Sequence, residues 1–396
     1  MPRPLAALTK HQIKRPTQSF NLQLSVSLRI QPRYSRTMTE ATMLAVCTTG
    51  KADGTVKLQR VNLPPLRDDQ LRIKVVAAAA NPTDWISASF REKVAISGCD
   101  FAGVVIEIGA NVVENFKAGD RVAGFVHGSL ELNGAYAEYV NACPWTTIKL
   151  PDSLSFEDGS QLTACGLTAC QALYQSQNLP SAENPITSPS LDLLVWSGSS
   201  SVGHFTIQLA KLGGMRVIAT ASPKHFDRLK ALGADEVFDY RDPEVVKKIR
   251  AYTNEKLRNA VDCISEGSTV PLVAECLSAE GGTISGVLPL PEEVQATIKD
   301  QWPQVEFIWS SAYELFGRPF DFPIGSEAKP ERAEFSKKYS KIFERFVAEG
   351  QIVPAPIKLF PKGLADVQEG FEYFKSGKVS GEKLVFRIAD TPGIQA

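Results

Sequence analysis

The sequence predicts an α/β protein whose middle third is a doubly wound parallel sheet. Three observations carry this. Residues 191–311 alternate short apolar runs with amphipathic helical stretches, the first run enters a glycine-rich turn, and the links between elements are short. Alternation of this kind means βαβ units, hence parallel strands and right-handed crossovers.

From Met43 the chain reads as short strands: MLAVCTT, then GKADGTVKLQRV, QLRIKVVAAAA, CDFAGVVIEIGANV and FKAGDRVAGFV, with turn residues between them. Gly103, Gly109, Gly119 and Gly124 fall where bends or close backbone contacts are expected. Pro144, Pro151 and SFEDG mark a boundary near residue 155. LDLLVW (191–196) is then a strand buried on both faces. HFTIQLAKLGG is a helix stopped by Gly213 and Gly214. RVIATAS, EVFDY, AVDCIS, GGTISGVL and VEFIWSS continue the strands. KHFDRLKALGA, PEVVKKIRAYT and TVPLVAECL are helices between them. The end is mixed: a long amphipathic helix over 332–350, PIKLF, a helix over 363–377 and a last strand, EKLVFRI.

Composition narrows the function classes. At 396 residues two domains are expected. With 43 Lys+Arg against 44 Asp+Glu there is no basic footprint for nucleic acid. No apolar run reaches the ~18–20 residues that span a bilayer. Seven scattered Cys, an odd number, make no disulfide framework and suit a reducing compartment. Residues 1–39 lack Asp and Glu and carry seven Lys or Arg, as a mitochondrial transit peptide does. A disordered basic tail, or a start at Met38 or Met43, reads equally from that composition.

The turn SGSSSVG (197–203) sits between a predicted strand and a predicted helix, where a glycine motif has meaning. Gly198 and Gly203 take the outer positions of G-x-G-x-x-G, Ser200 the middle one, with Ser199, Ser201 and Val202 between them. The first glycine allows the turn and the last lets helix and strand pack closely. Free amides at the helix start suit a pyrophosphate. A dinucleotide is therefore expected. After the second strand an NAD-binder wants a carboxylate for the ribose 2′-hydroxyl. This chain reads Thr220-Ala221-Ser222-Pro223-Lys224-His225, which has none. Ser222 and Lys224 suit a 2′-phosphate, so NADPH is expected over NADH.

The stretches NPTDW (81–85), GCDFAGVV (98–105), AGDRVAGF (118–125), GAYAEYV (134–140), GLTACQAL (166–173), SGSSSVG, ALGADEVFDYRD (231–242) and GKVSGEKLVF (377–386) resemble the medium-chain dehydrogenase/reductase superfamily over residues 43–390. SPKHFD and FDYR resemble its fungal trans-acting enoyl reductases, stand-alone partners of polyketide and hybrid synthases. The resemblance implies a GroES-like catalytic domain from residues 40–156 and 325–396, around a Rossmann domain at 157–324. It implies that Ser222, Lys224 and Tyr240 hold the adenosine 2′-phosphate, with Pro223 and His225 also among the cofactor-binding residues. Val287 and Leu288 would line the nicotinamide side, with Val379 and Ser380 touching the cofactor from the C-terminal segment. Thr83, Asp84, Trp85 and Ile86 would frame the nicotinamide pocket. Relatives often carry Lys where this chain has Ile86, so a lysine donor there is in doubt. Thr163, Ala164, Cys165, Gly166, Leu167, Thr168, Ala169 and Cys170 would face the substrate at the domain junction, their small side chains leaving room for a chain. Tyr313, Glu314, Leu315, Phe316 and Gly317 would form the opposite wall.

Zinc members of this superfamily need a Cys on the first loop and a later His-Glu pair. Here the first loop is NPTDW, GCDFAG has no such pair, and the four His are not clustered with Cys. A zinc-free site suits reduction of a polarised alkene better than oxidation of an alcohol. The expectation is an NADPH-dependent reductase of an α,β-unsaturated acyl thioester held on a carrier domain. The proton would come from Thr168, Tyr136 or water. The alternatives are an NADPH:quinone or small-enone reductase, and a non-enzymatic NADPH-binding protein. The enzyme readings imply a cytoplasmic monomer, or a mitochondrial one if residues 1–39 are a transit peptide.

Overall fold

The computed structural model describes residues 41–187, 191–320 and 324–394; the basic stretch 1–39 lies outside them. The chain opens with the antiparallel pair β1 (Thr42–Thr48) and β2 (Val56–Asn62). Then come β3 (Leu71–Ala79), α1 (Pro82–Phe90), β4 (Asp100–Ile108), β5 (Arg121–Phe125), β6 (Tyr139–Ala142) and β7 (Thr147–Lys149). α2 (Phe156–Gly159) and α3 (Thr163–Cys170) lead into the middle of the chain. There β8 (Asp192–Trp196), α4 (Ser201–Leu212), β9 (Arg216–Ala221), α5 (Phe226–Ala231), β10 (Glu236–Asp239) and α6 (Val245–Tyr252) form one half. β11 (Asn259–Asp262), α7 (Thr269–Cys276), β12 (Gly282–Gly286), α8 (Glu292–Gln301) and β13 (Val305–Trp309) form the other. α9 (Pro330–Ala348), β14 (Ile357–Phe360), α10 (Val367–Lys375) and β15 (Lys383–Arg387) close the chain.

The middle strands make a six-stranded sheet in the order β10-β9-β8-β11-β12-β13, every pair parallel. By position within the sheet this is 3-2-1-4-5-6, the doubly wound order, with its switch point between β8 and β11. Leu193, Leu194 and Val195 of β8 have no exposure, because helices cover both faces. α4 ends as its sequence dictates: Gly213 caps it, and Gly214 turns left-handed at φ +80°.

The second sheet has the path β14-β15-β3-β4-β5-β7, with β6 also on β3. Val385 of β15 pairs with Ala79 of β3, so strands from both chain ends complete one sheet. The two sheets share an apolar core. Ala102, Ala123 and Ile148 of the second sheet continue through Leu162, Cys165 and Ala169 to Val195, Phe205 and Ile207. Phe343 and Phe346 of α9 close it.

Four helices escaped the sequence pattern, the short α2 and α3 and the longer α1 and α8. α1 is nine residues in a stretch that reads as strands and turns, started by Pro82. α8 buries only Ile298, so its apolar stripe is too thin to stand out.

His204 lies on α4 with its side chain buried against the 350–353 loop. Its Nε2 is 2.8 Å from the Val353 carbonyl, and Nδ1 is shielded without a partner. Burial pulls the imidazole down to about 4. Between pH 6.5 and 4 the unfolded chain therefore takes up a proton that the folded chain does not, and stability falls as pH falls. From pH 7 to pH 4 the parent is expected to lose about 3 kcal/mol more than a His204→Gln variant in urea unfolding. Equal acid losses would contradict this.

Candidate active site

The glycine turn opens at the end of β8. Ser197 adopts φ +65° there, with its N–H donated to Thr220 Oγ1 at 2.9 Å. A Cβ at Gly198 would stand 2.9 Å from Ile207 Cδ1, and one at Gly203 would stand 2.5 Å from the Ser197 carbonyl oxygen. Gly203 is thus required by close approach of backbone, while Gly198 meets only side-chain atoms. Ser200 needs no such freedom. It is the N-cap of α4 in extended conformation, and its hydroxyl accepts from the Gly203 N–H at 3.1 Å. The middle serine therefore builds the helix start, which leaves the Ser201 and Val202 amides as first-turn donors.

The second-strand end is assembled by register. Ala221 of β9 pairs with Asp239 of β10, so Ser222 and Tyr240 leave neighbouring parallel strands side by side. Pro223, Lys224 and His225 form one 3₁₀ turn with Lys224 exposed. His225 Nε2 lies 3.0 Å from Ser380 Oγ, so the segment carrying Val379 and Ser380 closes against this turn. Val287 and Leu288 follow β12, and the Val287 N–H donates to Ser265 Oγ at 2.9 Å.

The first loop behaves differently from its sequence reading. Asp84 has almost no exposure, and its side chain turns inward. Its Oδ2 accepts from the Asn81 N–H at 2.8 Å and from the Tyr136 hydroxyl at 2.7 Å. Its Oδ1 is buried without a partner, and burial pushes the carboxyl up to about 6. Asp84 supports the loop from beneath, as N3 of α1. Ile86 is likewise buried, while Trp85 is half-buried under the Lys375 ammonium, 5.8 Å from its ring centre. Thr83 is the residue that reaches across, its Oγ1 2.8 Å from the Tyr313 hydroxyl. That hydroxyl is also 3.1 Å from Cys99 Sγ, and the Tyr313 ring stacks on His127 with centroids 3.8 Å apart.

Residues 67–152 match the alcohol dehydrogenase GroES-like domain, and residues 201–302 match the zinc-binding dehydrogenase domain. A trans-enoyl reductase of Alternaria alternata is 38% identical over 343 residues, covering 85% of this chain and 97% of its own. One of Aspergillus clavatus is 36% identical over 337 residues, covering 82% and 91%. A solved quinone oxidoreductase from Coxiella burnetii is 26% identical, covers 88% of this chain and 99% of that one, and superposes with a TM-score of 0.67. The chain belongs to the trans-enoyl reductase family, within the medium-chain dehydrogenase/reductase superfamily.

Membership brings a nicotinamide cofactor, and the amides of α4 and the turn after β9 fit one. Against a metal stands the donor set. Among the described residues no three His, Cys, Asp or Glu side chains group to hold an ion.

The substrate walls are corrected in part for this reductase. α3 is a tightly packed helix: Thr163, Leu167 and Ala169 have no exposure, and Cys165 and Cys170 have little. Gly166 faces α9, where a Cβ would collide with the Phe343 ring, so it leaves no room for a chain. Ala164 alone of the eight is half-exposed. The Thr168 hydroxyl donates to the Ala164 carbonyl at 2.6 Å. In the facing 3₁₀ turn, Glu314 is buried and paired with Lys329 at 2.6 Å, and Leu315 packs on Phe125 and Leu167. Gly317 ends the turn at φ +70°. Tyr313 and Phe316 remain half-buried. A cavity of about 140 Å³ beside Phe316 has a mixed lining, with Arg67, Gln70, Glu131 and Arg318 as well as Val126 and Phe320. Sequence reasoning missed this cavity, because its lining comes from segments far apart in the chain, around residues 67–70, 126–143 and 316–320.

Gly166→Leu is expected to cost about 1–3 kcal/mol of stability by overpacking against Phe343. The ratio of kcat/KM for long against short enoyl thioesters should stay unchanged in that variant. A lowered ratio with unaltered stability would restore Gly166 to the substrate wall.

Proposed function

We propose that the protein is an NADPH-dependent enoyl reductase that acts in trans on a polyketide acyl thioester carried by a synthase. Residues 40–156 and 325–396 would form its catalytic domain and residues 157–324 its dinucleotide domain. The observation that carries the cofactor choice is the end of β9, where Ser222 and Tyr240 leave adjacent strands, Lys224 follows in the next turn, and residues 220–225 hold no carboxylate. The names of the 36–38% identical relatives support the substrate class.

When bound, NADPH would supply a hydride to the β-carbon of the unsaturated thioester. The chain's own part is to bind and orient. The Ser201 and Val202 amides hold the pyrophosphate, and Thr83 with Tyr313 joins the two sides of the cleft at the nicotinamide end. Fixed donors there stabilise charge on the thioester oxygen without reorganising. The proton for the α-carbon comes from water in this reading. The Thr168 proton goes to the Ala164 carbonyl and the Tyr136 proton to Asp84. Positioning donor and acceptor then supplies much of the acceleration.

The test is NADPH oxidation with an enoyl-pantetheine thioester and with a simple quinone. The thioester is expected to be favoured by about tenfold or more in kcat/KM. Fast quinone turnover with none of the thioester would instead make the protein a quinone reductase, the activity named for the Coxiella burnetii neighbour.

A further inference from the structure

Lys224, His225 and Arg228 converge at the start of α5. Burial lowers the His225 imidazole, and the charged neighbours that add to this are Arg228 and Lys224, both cations. Burial also lowers the Arg228 guanidinium, with no carboxylate to offset it. Arg228 Nη1 donates to the Gly381 carbonyl. Its Nε and Nη2 are shielded from solvent and have no hydrogen-bond partner. These two donors form one edge of the guanidinium, the edge that matches two oxygens of a phosphate. The 381 segment packs closely on them. Gly381 stands at φ +67°, and a Cβ there would lie 2.5 Å from Arg228 Nη2 and 2.7 Å from His225 Cε1. Ser380 is held on His225 beside it.

Leaving two guanidinium donors buried and unmade is costly, and the Lys224 and Arg228 cations have no anion beside them among the described residues to offset their repulsion. We propose that Arg228 is a further determinant of cofactor specificity, its Nε/Nη2 edge binding the 2′-phosphate while Nη1 stays on Gly381. This rests on the NADPH reading above. It assigns the phosphate a bidentate partner beyond Ser222, Lys224 and Tyr240. It also ties phosphate occupancy to the 379–381 segment that leads into β15.

The test is calorimetric titration of the parent, Arg228→Gln and Arg228→Lys with NADPH, NADH and adenosine 2′,5′-bisphosphate. Gln can keep a donor toward the Gly381 carbonyl, and Lys keeps the charge without the fork. Arg228→Gln is expected to weaken NADPH and the bisphosphate about tenfold or more, with NADH nearly unchanged. Arg228→Lys should fall between, and the salt dependence of bisphosphate binding should flatten in Arg228→Gln. Equal losses for NADPH and NADH would make Arg228 a structural clasp on Gly381, and no loss for either would remove it from the site; both overturn the proposal. A parent that binds NADH as tightly as NADPH would instead sink the NADPH reading, visibly and before any variant is compared.

Discussion

A buried ion pair holds the two chain ends and the cleft together. Lys383 Nζ lies 3.4 Å from Asp100 Oδ2, and neither side chain has more than 2% exposure. Lys383 also donates to Asn81 Oδ1 at 2.6 Å, and Asn81 Nδ2 donates to Asp100 Oδ2 at 2.8 Å. Asp100 Oδ1 accepts the Ala164 N–H at 2.9 Å, at the start of α3. Burial alone would pull the Lys383 ammonium down, but the Cys165 thiol and Asp100 beside it hold it above its usual value. Such a pair earns its place only when its remaining donors and acceptors are satisfied, and removing one partner leaves a stranded charge. Here four parts of the chain supply those partners: the first loop, β4, α3 and β15.

The same cluster explains how the site is positioned. Asn81 caps α1, so the network fixes the loop that presents Thr83 to Tyr313. Asp100 fixes the start of α3, whose buried face packs on α9 through Gly166 and Phe343. Lys383 is two residues from Gly381, which lies against Arg228 and His225. The phosphate end of the proposed cofactor site and the nicotinamide end are thus braced through one short stretch of the C-terminal segment. The continuous apolar core between the two sheets makes this brace stiff.

The parallel sheet was legible in the sequence because its strands are apolar on both faces and its helices are amphipathic. The glycine turn was legible from its place between a strand and a helix, and Gly203 has no room for a Cβ against the Ser197 carbonyl. Motif resemblance pointed to the right segments of the cleft but not to the direction of each side chain. Gly166 reads as space in a wall, yet only the packing of α9 shows which face of α3 it occupies. Asp84 reads as a polar residue facing the pocket, yet its partner Tyr136 is 52 residues away and lies beneath it. The Lys383–Asp100 pair spans 283 residues, a distance over which no local pattern operates. Arg228 looks like an ordinary surface residue until the 380–381 segment is placed over it.

The most direct test of this account is a double-mutant cycle on the buried pair, using Asp100→Asn, Lys383→Met and both together, read by urea unfolding at pH 7. Each single change is expected to cost about 3–5 kcal/mol, because each strands a buried charge or its partner. The double variant should cost several kcal/mol less than the sum, since it removes both charges at once. Additive losses, or singles that cost almost nothing, would contradict the claim that this pair binds the two chain ends to the cleft.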